Sequence, residues 1–163
     1  MTIQLKSYLA GFLDADGSIM IQLKRRESAK FLFRVKTVVV FYQDSAKFEE
    51  LKIIHQALEA GYIYKRNDHI SEIRIEGFKQ VNKLLLMLKP YVRFKKDQVS
   101  LMLAALKILQ TKKYSLEDFL KVCELADLIS QASYSSKNRK YDKNYVLTEL
   151  KNHHLIPVTT GVS

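Results

Sequence analysis

The stretch LAGFLDADG at residues 9–17 decides the fold. Residues 8–13 favour a helix, while Gly17 and the alternating apolar residues after it predict that the helix stops and a strand follows. Asp14 and Asp16 therefore lie in or just after the last helical turn. The negative end of the helix dipole disfavours a carboxylate there by roughly 0.3–1 kcal/mol. A divalent cation would compensate these charges; solvent at the end of an ordinary buried helix is the alternative.

Small residues recur in this segment at helical spacing. Gly11 and Ala15 are four residues apart, and so are Ala10 and Asp14, so one side of the helix has small side chains or none. A second helix could approach this side closely, and two copies of the chain would bring two sets of aspartates together. We therefore expect Ala10, Gly11, Asp14 and Ala15 at a helix–helix interface.

The composition restricts the class of partner. The chain has 163 residues, with 27 Lys and Arg against 17 Asp and Glu, and a formal net charge of +10. Its length predicts one domain over residues 1–163, and its charge favours nucleic acid or an anionic membrane surface as partner. No apolar run approaches the ~18–20 residues of a membrane-spanning helix, and no signal segment is recognisable, so we expect no membrane partner.

The same absence of a signal segment, together with a single cysteine, predicts an intracellular protein. The cytoplasm follows if the host is prokaryotic, and the sequence does not choose between organelle and nucleus otherwise. Cys123 excludes an intrachain disulfide, and its apolar neighbours predict that it is a small core residue.

Periodicity along the rest of the chain predicts an α+β fold. The order is helix, strand, strand, helix, strand, strand, helix, followed by further helices. Strands are predicted at residues 18–25, 31–41, 61–66 and 70–75, and helices at 45–58, 79–88, 97–110, 116–131 and 144–153.

Alternation along the predicted strands separates an apolar face from a basic and polar one. In a DNA major groove, Arg or Lys reads guanine, Gln reads adenine and Glu accepts from cytosine. A solvated sheet face is the simpler alternative, but it needs no such excess of Arg, Lys, Gln and Tyr. The polar-face residues that we expect to contact DNA are Gln22, Lys24, Arg26, Arg34, Lys36, Tyr64, Arg66, Glu72 and Arg74.

The nine-residue motif resembles the signature of the LAGLIDADG homing endonucleases, from which it differs only at Phe12 and Leu13. One copy is present, as in the family's homodimeric members; the double-motif members are monomers with two pseudo-symmetric halves. The resemblance implies the αββαββα fold, with a four-stranded antiparallel, saddle-shaped sheet that binds DNA and with additional C-terminal helices.

The resemblance also implies a metal site. Asp16 matches the second Asp of the motif and would bind Mg²⁺ together with the main-chain carbonyl of Ala15. Mn²⁺ is expected to substitute, and Ca²⁺ to support binding without cleavage. Gln43 matches a polar residue that positions water, and Lys95 matches a lysine that stabilises charge on the phosphate or the nucleophile. Lys47 stands where relatives carry Arg, which keeps the charge but loses the bidentate fork.

Two further regions receive roles. A helix turns by ~100° per residue, so Asp14 and Asp16 face different ways. Asp14 is therefore expected to have a secondary role, either as a helix cap or as a residue that supports the metal ligand without binding the metal. The segment SSKNRK at residues 135–140 resembles the phosphate-clamping loop of single-motif relatives, which assigns DNA contacts to Lys137, Arg139 and Lys140. A merely solvated basic loop is the alternative.

Together, these resemblances predict an intron-encoded homodimeric endonuclease that depends on Mg²⁺. It would cut both strands of a near-palindromic site of ~20 base pairs across the minor groove and leave 3′ overhangs. Host intron RNA is a further candidate partner. The alternative is an RNA maturase or a catalytically inactive DNA-binding regulator on the same scaffold, although the presence of Asp16, Gln43 and Lys95 favours activity.

Overall fold

Two β-hairpins, each followed by helices, form the centre of the computed structural model, which describes residues 1–111, 113–133 and 139–156. The order is αββαββα followed by three more helices, so the predicted α+β architecture is confirmed. The elements are α1 (Ile3–Asp16), β1 (Gly17–Arg25), β2 (Phe33–Asp44), a 3₁₀ turn (Ser45–Lys47), α2 (Phe48–Leu58), β3 (Tyr62–Lys65), β4 (Ile70–Glu76), α3 (Phe78–Leu88), α4 (Lys96–Leu109), α5 (Leu116–Gln131) and α6 (Lys143–Asn152).

Helix α1 is longer than the helical segment that the sequence indicates. It begins at Ile3, because the Thr2 hydroxyl accepts a hydrogen bond from the Leu5 N–H at 3.2 Å and caps the first turn. At the other end, a Cβ on Gly17 would lie 2.6 Å from the carbonyl oxygen of Leu13. Glycine is therefore needed there for a close approach of the backbone as the chain turns from α1 into β1.

The four strands form one antiparallel sheet in the order β1-β2-β4-β3. β1 pairs with β2 from Gly17 opposite Phe41 to Arg25 opposite Phe33. β2 begins two residues later than predicted, because Leu32 adopts a positive φ of 62° and remains in the turn. It also continues to Asp44, three residues beyond the predicted end, where it still pairs with β4.

The core lies against the apolar face of the sheet. Side chains from α1, α3, α4 and α5 pack there on alternate residues of the strands, including Ile19, Phe41 and Ile73. Cys123 is fully buried among them, as predicted. Within the described residues, no helix combines the length and the apolar character needed to cross a membrane.

Candidate active site and nucleic-acid interface

Asp16 is the last residue of α1, and its side chain is exposed. In the part of the chain that the structure describes, no hydrogen bond or ion pair engages its carboxylate. The last turn of α1 contains no basic residue either. A negative charge therefore stands at the negative end of a helix with no direct partner among the described residues, which is a favourable place for a cation.

Asp14 faces a different part of the molecule, as helix geometry predicts. Its carboxylate oxygens accept hydrogen bonds from the backbone N–H groups of Arg93 at 2.6 Å and of Lys95 at 2.9 Å. These two amides lie at the start of α4, which begins at Lys96. The Asp14 side chain thus anchors the segment before α4 to the end of α1.

Lys95 lies beside this anchor. Its Nζ donates a hydrogen bond to the carbonyl oxygen of Asp14 at 2.5 Å. Burial lowers the pKa of Lys95, while the negative charges of Asp14 and Asp16 act in the opposite direction. The structure therefore brings the ammonium group of Lys95 into the electrostatic neighbourhood of Asp16, although the two residues are far apart in the sequence.

The end of β2 and the turn after it determine where Gln43 and Lys47 lie. Phe41 pairs with Gly17, so Gln43 lies two residues beyond it, at the end of the sheet where α1 terminates. The Gln43 side-chain oxygen accepts a hydrogen bond from the Asp44 N–H at 2.9 Å. Lys47 lies further on, in the 3₁₀ turn, where its exposed ammonium is 3.7 Å from the Glu50 carboxylate. Asp16, Lys95 and Gln43 thus share one end of the molecule, with Lys47 one turn away.

A metal ion at Asp16 would bind to oxygen atoms at the end of α1. No group of three or more His, Cys, Asp or Glu side chains suited to a metal occurs in the described residues. The neighbouring main-chain carbonyl of Ala15 belongs to the last helical turn, whose carbonyls have no partner within the helix. Asp16 and Ala15 are oxygen donors, which suit Mg²⁺, an ion that is usually bound by one or two carboxylates together with waters and phosphate oxygens.

Only some residues of the helix face predicted for an interface are exposed in the structure. Gly11 and Ala15 are exposed, and a Cβ built on Gly11 would meet nothing within 4 Å. Ala10 is 0% exposed and packs in the core of its own chain. The prediction that Ala10 belongs to a bare helix face is therefore wrong, because residues 10 and 11 are separated by ~100° around the helix. The Asp14 carboxylate is likewise occupied within its own chain.

The polar face of the sheet follows the predicted alternation. Cross-strand partners point to the same side of a sheet, and the pairs Gln22 with Lys36, Lys24 with Arg34, and Tyr64 with Glu72 are directly opposite each other. Lys24 and Arg34 are exposed and make no ion pair within the described residues. The exposed Arg26 hydrogen bonds to Ser28 in the turn after β1.

Charges nearer the centre of this face are paired with one another. The Arg74 Nε lies 2.7 Å from a Glu76 oxygen, and the other Glu76 oxygen is 3.3 Å from the Lys36 Nζ. Arg74 also donates to the side-chain oxygen of Gln22 at 3.4 Å. Hydrogen bonds from Arg74 and Lys36 lower the pKa of Glu76. Glu76 was not among the residues expected to act on this face, although it continues the alternation of Glu72 and Arg74.

Glu72 corrects one prediction. It was expected to accept a hydrogen bond from a cytosine, but its side chain is only 2% exposed. Its carboxylate accepts the Tyr64 hydroxyl hydrogen bond and lies near both Arg66 and Arg74. A carboxylate enclosed in this way has no surface to offer to a base, because the side chains of Tyr64, Arg66 and Arg74 surround it.

The C-terminal basic segment differs from the expectation as well. One nitrogen of the Arg139 guanidinium lies 2.8 Å from the Asp127 carboxylate, and another donates to the carbonyl oxygen of Ile21 at 3.3 Å. Arg139 therefore links α5 to the edge strand β1. Its guanidinium is engaged within the chain and not in the predicted phosphate contact. Lys140 is exposed, with its Nζ over the Tyr141 ring. Lys137 lies outside the described residues.

Comparison with known proteins identifies the family. The model of the LAGLIDADG endonuclease family matches residues 9–103. The chain belongs to this family. DNA endonuclease I-CreI of Chlamydomonas reinhardtii is 32% identical over 133 residues, which cover 82% of this chain and 80% of that protein. DNA endonuclease I-CvuI of Chlorella vulgaris is 35% identical over 111 residues, which cover 68% of this chain and 69% of that protein.

Solved structures of LAGLIDADG proteins share the fold. Homing endonuclease I-CvuI, bound to the I-CreI target in the presence of 2 mM Mg with its DNA not cleaved, matches with a TM-score of 0.85 and 29% identity, over 93% of this chain and 96% of that chain. The archaeal intron-encoded endonuclease I-Vdi141I in complex with DNA matches with a TM-score of 0.81 and 23% identity, over 92% and 96%. The four-stranded sheet and its helices are thus those of the family.

Proposed function

We propose that this chain is a homing-type DNA endonuclease that acts as a homodimer, with residues 1–163 forming one domain, and that cuts both strands of a long, near-palindromic duplex site with Mg²⁺. The observation that carries the proposal is the exposed carboxylate of Asp16, which has no partner in the described residues, at the end of the motif helix beside Lys95. The relatives I-CreI and I-CvuI are named as DNA endonucleases, which supports the same activity here.

The exposed face of α1 supports the homodimer. Gly in the interior of a helix costs roughly 0.5–1 kcal/mol relative to Ala, and none of the described residues occupies the space next to Gly11. The apolar residue Tyr8, which is 57% exposed, lies on the same helix face as Gly11 and Ala15. A second α1 packed against this face would cover these residues and bring the two Asp16 carboxylates close together.

The polar sheet face supports the duplex as substrate. Its exposed cations, among them Lys24, Arg26 and Arg34, can contact phosphates or base edges, while the exposed Lys140 adds charge at the margin of β1. Two sheets related by a dimer axis would contact two half-sites of opposite orientation. This arrangement accounts for a near-palindromic site of ~20 base pairs, with about one helical turn per half-site.

The end of α1 would supply the chemistry. Asp16 from each chain and the carbonyl of Ala15 would hold Mg²⁺, which lowers the pKa of bound water and stabilises charge on a phosphate oxygen. The Lys95 ammonium, fixed by its bond to the Asp14 carbonyl, would stabilise negative charge on the phosphate or the nucleophile. The Gln43 amide would orient the attacking water, and Lys47 would contribute a further positive charge from the 3₁₀ turn.

The test is incubation of the protein with the uninterrupted copy of its host gene and, in parallel, with the intron-containing copy. We expect one double-strand cut in the uninterrupted copy with Mg²⁺, a similar cut with Mn²⁺, and binding without cutting with Ca²⁺. Tight binding of this DNA without a cut in any metal would contradict the endonuclease and support a DNA-binding regulator. Binding of the intron RNA without a cut in DNA would support the maturase.

A further inference from the structure

Glu72 occupies an unusual place on the polar face of the sheet, because its carboxylate is buried among basic side chains. One oxygen accepts the hydrogen bond of the Tyr64 hydroxyl and lies 3.5 Å from the Arg74 Nη1. The other oxygen lies 3.6 Å from the Arg66 Nη1. A single carboxylate on β4 therefore joins one residue of β3, one residue of the following turn and one residue of its own strand.

The burial of this charge depends on its partners. An isolated buried carboxylate is costly, and removing the partner of a buried ion pair leaves an uncompensated charge. The Tyr64 hydroxyl stays protonated over the working range, since its hydrogen bond to Glu72 raises the pKa of Tyr64 to about 12. The positive charges of Arg66 and Arg74 balance the carboxylate, so the group of four side chains holds together only as a unit.

Each arginine of this unit is also held by a second acceptor. Arg66 lies 2.6 Å from the Asp68 carboxylate, and Arg74 lies 2.7 Å from that of Glu76. Flexible arginine side chains are thereby restrained from two sides. A guanidinium has five N–H donors, so both arginines retain donors for a base edge while these bonds persist.

We propose that Glu72 sets part of the DNA sequence preference without touching DNA, by fixing the positions from which Arg66 and Arg74 read guanine. This inference rests on the proposed function, because it requires the polar face to bind duplex DNA. The bidentate contact of Arg with guanine depends on the direction of the guanidinium fork. Without Glu72, both forks can turn to phosphates, which bind arginine irrespective of sequence.

The contribution of Glu72 to specificity differs from a contribution to stability alone. A residue that only stabilises the sheet would, when replaced, weaken binding to all duplexes to the same extent. A residue that positions the arginines would, when replaced, weaken binding to the preferred sequence and preserve or strengthen binding to other sequences, because the face gains one unit of positive charge. The ratio of the two affinities therefore separates the two roles.

The experiment selects bound sequences from a randomised duplex pool in Ca²⁺, followed by affinity measurements on the selected and on an unselected duplex. The proteins are the wild type, Glu72→Gln and the charge-matched control Glu117→Gln, whose side chain is exposed at the start of α5. For Glu72→Gln we expect guanine preference to disappear at a few positions of each half-site, and discrimination to fall about tenfold, the equivalent of one bidentate base contact. Glu117→Gln should match the wild type.

Two more variants secure the interpretation. Glu72→Asp keeps the charge but withdraws the carboxylate by one methylene, so it should lose preference at the same positions even if Glu72→Gln does not fold. Tyr64→Phe removes one partner of the Glu72 carboxylate but keeps both Arg contacts, so it should lose less discrimination than Glu72→Gln does. A loss for Tyr64→Phe equal to that for Glu72→Gln would overturn the assignment to the arginines.

The remaining outcomes are distinct. Unchanged preference and discrimination in the Glu72 variants would overturn the inference and leave the proposed function standing. An equal loss of binding to the selected and unselected duplexes would also overturn it and assign Glu72 to stability. A wild-type protein that selects no sequence would overturn the proposed function, and the inference with it.

Discussion

The end of α1 and the polar face of the sheet both carry charge, but they differ in how that charge is balanced. At the end of α1, the Asp16 carboxylate has no hydrogen bond or ion pair within the described residues, while Lys95 is fixed nearby through Asp14. On the sheet, the central carboxylates of Glu72 and Glu76 are paired with basic side chains. One region leaves a carboxylate exposed, and the other is organised before any ligand arrives.

This difference separates two tasks. A carboxylate without a partner retains its affinity for a cation, which suits a group that has to hold a metal. Paired charges on a sheet restrict side-chain motion and lower the entropy lost when a specific ligand binds. We therefore expect substitutions at α1 to abolish chemistry, and substitutions on the sheet to change which DNA is bound.

The largest effect is expected for Gly11→Leu, which should abolish both dimer formation and cleavage. In the part of the chain that the structure describes, Gly11 aside, no neighbouring atom lies within 4 Å of a Cβ built at this position, so the isolated protomer should keep its thermal midpoint. A leucine there would hold a second helix away. Sedimentation and a cleavage assay measure the two outcomes, with Ala104→Leu on the exposed side of α4 as the matched control. An active, dimeric Gly11→Leu protein would refute the close approach of two α1 helices.

A smaller effect is expected for Lys95→Met. Removal of one charge-stabilising group typically lowers the rate ~10²–10³-fold, so the rate of cutting should fall by about this factor while DNA affinity changes little. The neighbouring Lys96→Met removes the same charge from an exposed position and serves as the control. Equal rates for the two variants in single-turnover cleavage would mean that the position of Lys95 beside Asp14 has no catalytic significance.

Arg139 and Lys140 provide a contrast between structural and binding roles. Arg139→Ala should lower the free energy of unfolding by about 1–3 kcal/mol, because it removes the Arg139 hydrogen bonds to the Ile21 carbonyl and to the Asp127 carboxylate, which keeps the Lys143 N–H as a partner. Lys140→Ala should leave stability unchanged and reduce the salt dependence of DNA binding by roughly one phosphate contact. Denaturant melts and binding at several salt concentrations test both variants. A reversal of the two phenotypes would restore the predicted phosphate contact of Arg139.

The smallest effect concerns the ionisation of Tyr64. In the folded wild type, the Glu72 carboxylate accepts the Tyr64 hydroxyl hydrogen bond and raises the pKa of Tyr64 to about 12. A neutral acceptor in Glu72→Gln should lower this pKa towards the ordinary value of ~10. Ultraviolet titration should then show one additional tyrosinate in the variant between pH 10 and 12. Identical titration curves would mean that Glu72 does not raise the pKa of Tyr64.

Much of the fold follows from patterns within single elements. The alternation of the strands, the periodicity of α5 and the motif at the end of α1 are local, and each of them predicts its element and its exposed face. The predicted starts of α1 and β2 were less accurate, because the Thr2 side chain decides the first and the backbone conformation of Leu32 decides the second. Asp16 and Lys95 were proposed together because the family resemblance supplied both positions, and the structure brings their charges near each other.

The corrections concern contacts between residues that are distant in sequence. Ala10 and Gly11 are neighbours, yet only the packing of α1 shows which of them faces the core. The pairing of Arg139 with Asp127 and Ile21 depends on how α5 lies along β1. Glu72 looks like any polar-face residue in the alternation, and its burial follows from the side chains of Tyr64 and Arg66, which the pairing of β3 with β4 brings beside it.

The central claim is that the unpaired carboxylate of Asp16 holds the metal that cuts DNA. The most direct measurement compares the wild type, Asp16→Asn and Glu117→Gln on the uninterrupted host gene in Mg²⁺, with cleavage read on a gel and binding read by mobility shift. We predict that Asp16→Asn binds as tightly as the wild type and loses at least ~10³-fold in cleavage rate, the several kcal/mol that a metal contributes. Cleavage by Asp16→Asn at the rate of the other two proteins would contradict the claim.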